Sequence, residues 1–211
     1  MKTDDLIKML SQDAAVSQTL ARAVGWAIAG GTLIAGLAFF AIIGLRPDIA
    51  QAAETVRFLF KFVITISLAI AAIGMVLRLA RPGVPLSGWG WALAAAPVLL
   101  GAAVLIELAV TPAADWGVKM IGTNARNCLT IIPLLSIGPL ACLLFALKQG
   151  APTRPGLAGA IAGLASTGIA ATFYASNCTD DSPLFVITWY PLAAGIVVLV
   201  GYLAGNRLLK W

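Results

Sequence analysis

Residues 184–205 read LFVITWYPLAAGIVVLVGYLAG, a run of 22 without one charged side chain. As an α-helix rising about 1.5 Å per residue, this run crosses roughly 30 Å of hydrocarbon. Five further stretches of the same kind lie upstream: Val24–Leu45, Phe58–Leu79, Trp91–Val110, Cys128–Leu147 and Gly156–Ala175. The connections between the six are 8 to 17 residues long, too short for a separate extramembrane domain. Composition agrees: of 211 residues 60% are hydrophobic and only 11% charged, where a soluble domain carries about 25% charge. Mean hydropathy is +0.95. The expectation is an all-α polytopic transmembrane bundle of about six spans, residues 24–211, preceded by a short N-terminal segment, residues 1–23. A cleaved signal peptide fits the first span poorly. Its apolar core is too long, and 23 residues bearing Asp4, Asp5 and Asp13 precede it.

Basic residues orient the bundle. With the N-terminus inside, the inner segments carry Lys2, Lys8, Arg22, Arg78, Arg81, Lys148, Arg154, Arg207 and Lys210. The outer segments carry only Arg46, Arg57, Lys61, Lys119 and Arg126, together with six acids. The positive-inside bias therefore predicts both termini in the cytoplasm. The pI of 9.4 follows from that bias and is no sign of nucleic-acid binding. The six tryptophans fall mostly near span ends, as amphipathic rings prefer.

Histidine is absent, and no Asp, Glu, Lys or Arg falls near the middle of a span. Ion-coupled carriers and proton relays need such groups at depth, and neither a Ser–His–Asp set nor a P-loop is present. An enzyme is not expected. Glu107 comes closest to the interior; it lies in the last turn of its span, where Lys119 or Arg126 could pair with it. Gly159-x-x-x-Gly163 and Gly201-x-x-x-Gly205 permit close helix approach, either within one bundle or across a homodimer face. Pro97, Pro133, Pro139 and Pro191 lack polar neighbours and read as packing kinks.

Cys128 and Cys178 both follow an asparagine and both fall on the outer side. In an oxidising compartment two thiols suggest a structural disulfide or a redox-sensitive pair. With Asp180 and Asp181 nearby they could also take a soft metal ion, since thiolate favours such ions. Cys142 lies about fourteen residues further along the same helix, roughly 21 Å deeper, and reads as an apolar packer. In the N-terminal segment Thr3 is a plausible N-cap, Asp4 and Asp5 suit the positive helix end, and Leu6, Ile7, Leu10 and Ala14 recur at helical spacing. Such a helix either lies on the membrane surface or docks a soluble partner.

Several stretches carry a family resemblance: Met1 to Ile7 (MKTDDLI), Asn127-Cys128-Leu129 with Ile132 to Leu135 (IPLL), and Gly150 to Pro155 (GAPTRP). Cys178 with Asp181 to Phe185 (DSPLF), Trp189-Tyr190, and the ending Gly205 to Trp211 (GNRLLKW) complete the set. Together they resemble the NrsF family, the negative regulators of sigma F, from end to end. The resemblance implies a six-span bacterial inner-membrane anti-sigma factor holding an extracytoplasmic-function sigma factor inactive, with no direct nucleic-acid contact. It implies that Asp4, Asp5, Leu6, Ile7 and Leu10 belong to the sigma-binding surface. Cys128 and Cys178 would sense oxidative or heavy-metal stress, a metal ion binding only transiently and no permanent cofactor being needed. A rival reading is a small channel or carrier for a metal ion or neutral solute. For it the spans offer only hydroxyls such as Thr65, Ser67, Ser136, Ser166, Thr167 and Thr188. A second rival is a purely structural membrane subunit.

Overall fold

The computed structural model describes residues 20–81 and 88–209. The elements, in chain order, are α1 (Leu20–Ile42), α2 (Ile49–Ala52), α3 (Val56–Leu79), α4 (Trp89–Val110), a 3-10 turn (Ala113–Asp115), α5 (Trp116–Ile121), α6 (Ala125–Leu147), α7 (Pro155–Ala175) and α8 (Pro183–Leu208). There is no strand among the described residues. Six of these helices, α1, α3, α4, α6, α7 and α8, are long and apolar enough to cross a membrane. Their bounds fall within four residues of the spans read from the sequence.

The helix starts have local causes. Pro155 and Pro183 occupy first-turn positions of α7 and α8, where a missing N–H costs nothing. The Thr55 hydroxyl accepts from Phe58 N at 3.4 Å at the start of α3, and the Ser182 hydroxyl accepts from Leu184 N at 3.3 Å at the start of α8. α1 runs out into Gly44, whose φ of +74° places it in the left-handed region.

The bundle is inside-out compared with a water-soluble protein. Large side chains such as Leu37, Phe40, Leu105, Ile137 and Leu203 point outward, and small ones fill the contacts. α7 is the central post. Alanine, glycine, serine and threonine occupy most of its positions, so every side admits a neighbour, and it packs against α1, α3, α6 and α8. Gly159 lies so close to α8 that a Cβ there would overlap the Gly201 carbonyl oxygen. A Cβ on Gly163 would stand 2.7 Å from the Val197 carbonyl oxygen. Both glycine stripes therefore face each other inside one chain. Of the two readings of these repeats, packing within one bundle is the one this geometry supports. On the far side of α7, Gly168 admits Ala69 of α3. Pro139 of α6 rests against Gly31 of α1 and fixes that crossing. α4 is the peripheral helix, with only Ala96, Leu100 and Glu107 buried.

Candidate functional site at the cysteine end

Leu20, Ala80, Gly150, Pro155 and Gly205 gather at one end of the bundle. At the opposite end the connection between α7 and α8, residues 176–182, forms the centre of a polar assembly. Cys178 lies in this connection and Cys128 in the first turn of α6. Both are free thiols, wholly buried in one cluster with Phe39, Tyr174, Phe185 and Tyr190. Cys142 is partly buried and packs in a different cluster, nearer the termini. The Cys178 thiol donates to the Asp180 carbonyl at 3.7 Å, and the Tyr174 hydroxyl lies beside it. Burial pushes the Cys178 thiol above the usual cysteine range, with the Lys61 ammonium pulling against that shift. Thiolate is therefore scarce at neutral pH. Cys178 of the native protein is expected to react with iodoacetamide at least tenfold more slowly than in the detergent-denatured chain, followed by mass spectrometry over time. Equal rates would show that the thiol is not shielded.

Around these thiols lies a charge network that draws on three separate parts of the chain. Lys61, in the second turn of α3, is 1% exposed. Its Nζ donates to the Cys178 carbonyl at 2.8 Å and pairs with Asp181 Oδ1 at 2.5 Å. Arg46, in the loop after α1, donates to the same carbonyl at 3.3 Å and to Asp181 Oδ2 at 2.9 Å. It also forms a two-pronged pair with Asp48, at 2.7 Å for each contact. The Arg46 guanidinium holds the Asp48 carboxyl below the usual carboxylate range. That contribution to stability is present at neutral pH and lost as pH falls through the depressed value. The loop after α1 is stitched further by Arg46 N to the Ser176 carbonyl at 3.2 Å and by Asn177 Nδ2 to the Gly44 carbonyl at 3.1 Å.

The neighbouring carboxylate ties down a fourth element. Asp180 Oδ2 accepts from Thr123 N at 2.9 Å and from Asn124 N at 2.8 Å, at the start of α6. A carboxylate here satisfies orphan amides and complements the helix dipole. Cys128 stands one turn further on, its N–H bonded to the Asn124 carbonyl at 2.8 Å. One short connection thus holds α6 through Asp180, and α3 and the loop after α1 through Asp181 and the Cys178 carbonyl.

Asp180 and Asp181 are therefore committed to backbone amides and to cations, and do not join the thiols as ligands. Among the described residues no three His, Cys, Asp or Glu side chains converge on a point that would hold a metal ion. Among the described residues at this end, the two cysteine sulfurs are the donors suited to a soft ion. Glu107 is 4% exposed and pairs with Lys119 at 3.2 Å, as its position near the span end suggests, while its second partner is Arg57 at 3.0 Å and not Arg126. The buried roles of Lys61, Arg46 and Asp181 are not evident from the sequence, where Lys61 and Arg46 count only as outer-side charges. The available signal is a lysine one turn inside an apolar helix, which demands a counter-ion. Asp4, Asp5, Leu6, Ile7 and Leu10 lie outside the described residues.

Comparison with known proteins bears on the whole chain. Residues 10–211 match the family model described as negative regulator of sigma F. A probable anti-sigma-F factor of Azospira oryzae is 35% identical over 221 residues, and the anti-sigma-F factor of Caulobacter vibrioides is 36% identical over 222. Each alignment covers 100% of both chains. No solved structure matches. A family match over nearly the full length, joined to two full-length relatives, places this chain in the NrsF family of negative regulators of sigma F.

Proposed function

We propose that this protein is a membrane anti-sigma factor, regulatory and not enzymatic, that holds an extracytoplasmic-function sigma factor at the inner membrane of a bacterium. Full-length similarity to two proteins named as anti-sigma-F factors carries this reading. In it both termini face the cytoplasm, and Asp4, Asp5, Leu6, Ile7 and Leu10 contribute to sigma binding. Cys128 and Cys178, buried at the periplasmic end of the bundle, receive the signal. Oxidation, or capture of a soft metal ion by the two sulfurs, changes the spacing between the start of α6 and the loop after α7. That loop's ties to α3, to α6 and to the loop after α1 support the idea that such a change spreads through the bundle. The signal then favours one of two bundle states, and the cytoplasmic grip on the sigma factor weakens.

The hydroxyls that a carrier would need support this reading over permeation. Ser136, Ser166, Thr167 and Thr188 each donate to the carbonyl one turn back in their own helix, at 2.7 to 2.9 Å.

Affinity capture of the full chain is expected to retain a sigma factor, and deletion of residues 1–20 is expected to lose it. Cys128→Ser with Cys178→Ser should keep sigma bound under oxidant or heavy metal, so that the sigma-dependent genes stay silent. Unchanged induction in that double variant sinks the sensing role, and sigma retained without residues 1–20 sinks the docking role.

A further inference from the structure

Charge is shared unevenly between the two ends of the bundle. Six of the nine acidic side chains, those from Asp48 to Asp181, belong to the cysteine end, and all five ion pairs among the described residues form there. At the opposite end Arg22, Arg81, Lys148, Arg154 and Arg207 are exposed, and none has an ion-pair partner among the described residues. The positive-inside bias accounts for cations at this end, but not for their gathering on one surface. They meet around the connection between α6 and α7, residues 148–154. A Cβ on Gly150 would stand 2.9 Å from the Ala80 carbonyl oxygen and 3.3 Å from Leu20 Cδ1, and one on Gly205 would stand 2.5 Å from the Pro155 carbonyl oxygen. The connection and the start of α7 therefore cross the end of the bundle against α1, α3 and α8. Arg154 caps α7, the central post, so this surface faces along the bundle axis and away from the lipid rim.

A cluster of like charges attracts acidic groups. The remaining acidic side chains of the chain, Asp4, Asp5 and Asp13, all lie in residues 1–19, and that segment joins the bundle at Leu20, beside Gly150. Measured along a helix, Asp13 falls about 10 Å and Asp4 about 24 Å from Leu20. Those distances cover a face of helices packed about 8–10 Å apart. A tethered segment meets the surface at an effective concentration near millimolar, so that individually weak exposed pairs suffice to hold it. A carboxylate on a separate molecule has no such advantage.

We propose that residues 1–19 dock on this basic surface through Asp4, Asp5 and Asp13. The docked segment and the sigma-bound segment are then alternatives. A protein that works on DNA presents cations of its own, so the same three carboxylates are contested by the sigma factor and by the chain's own basic end. That competition rests on the reading that residues 1–19 take the sigma factor; the docking itself does not.

The test uses the full chain in nanodiscs of phosphatidylcholine, and separately of phosphatidylcholine with phosphatidylglycerol. A carbodiimide joins neighbouring carboxylates and amines, and mixing isotope-labelled with unlabelled chains lets mass spectrometry tell links within a chain from links between chains. Links within one chain from Asp4, Asp5 or Asp13 to Lys148 are expected in both lipids. Arg81→Gln with Arg154→Gln and Arg207→Gln leaves Lys148 in place and should lower their yield by about fivefold or more. All three arginines are exposed, so an unchanged melting temperature is expected and separates lost docking from misfolding. The same variant should bind the sigma factor about threefold to tenfold more tightly, because its competitor is weakened. Links intact in the unmodified chain and lost in the variant, with sigma affinity unmoved, support the docking and sink the sigma-binding role of residues 1–19. Three results overturn the proposal: a yield untouched by the arginine substitutions, links that vanish when phosphatidylglycerol is present, and links only between chains. They assign the surface to another protein, to anionic lipid and to a second copy respectively.

Discussion

Asp181→Asn is expected to destabilise the folded protein by about 3–5 kcal/mol, the usual effect of removing one partner from a buried pair. The reason lies with Lys61, which is 1% exposed and has Asp181 as its ion-pair partner. An asparagine keeps the shape but removes the negative charge, leaving the ammonium among neutral partners such as the Cys178 carbonyl at 2.8 Å and the Phe58 ring. Arg46 loses a partner too but retains Asp48, so its share of the loss is smaller. The effect is local to the cysteine end, where the loop after α1 and the start of α3 would loosen together. Thermal unfolding in detergent, followed by size-exclusion chromatography, measures it. Adding Lys61→Met to Asp181→Asn should recover more than half of the loss, since the uncompensated charge is then gone. A single variant as stable as the unmodified protein would show that water reaches Lys61 and that the pair is not buried in the bilayer.

The second large effect is expected at Gly159. Leucine there is predicted to cost more than about 3 kcal/mol and to remove most of the folded protein from the membrane fraction. Overpacking is often relieved by rotating a flexible neighbour, but here the neighbours are backbone atoms: the Gly201 carbonyl oxygen and the Gly205 Cα. Relief requires α7 and α8 to separate, and α7 also supports α1, α3 and α6. Gly195→Leu, placed on α8 where a Cβ meets open space, is the matched control and should be tolerated. Yield and melting temperature of the two variants, compared side by side, decide the matter. If Gly159→Leu melts with Gly195→Leu, the α7–α8 contact is looser than this geometry allows.

These two residues mark where sequence reasoning succeeds and where it stops. Gly159 stands in a four-residue glycine repeat, which is legible because close approach between membrane helices requires small side chains at regular helical spacing. The repeat says that a partner exists but not whether it belongs to the same chain. Lys61 and Asp181 are 120 residues apart, and nothing in their spacing announces a pair. Cys128 and Cys178 stand out earlier because the polypeptide offers few other reactive groups, yet their burial and their packing against Tyr174 and Tyr190 depend on helices remote in sequence.

The sequence by itself determined the six spans, because crossing hydrocarbon demands about twenty apolar residues in one helix and that demand is met locally, stretch by stretch. It also determined the family, through residues spread along the whole chain. Tertiary structure alone decided that α7 is the central post, that the glycine stripes meet within one chain, and that Lys61, Arg46 and Asp181 converge on the Cys178 carbonyl. It also gathered cations without ion-pair partners among the described residues on one surface at the opposite end. Each of these depends on which helices lie side by side. Lipid is nearly as apolar as the helix faces themselves, so hydrophobicity cannot rank the possible neighbours. Shape, small residues and a few buried charges make that choice.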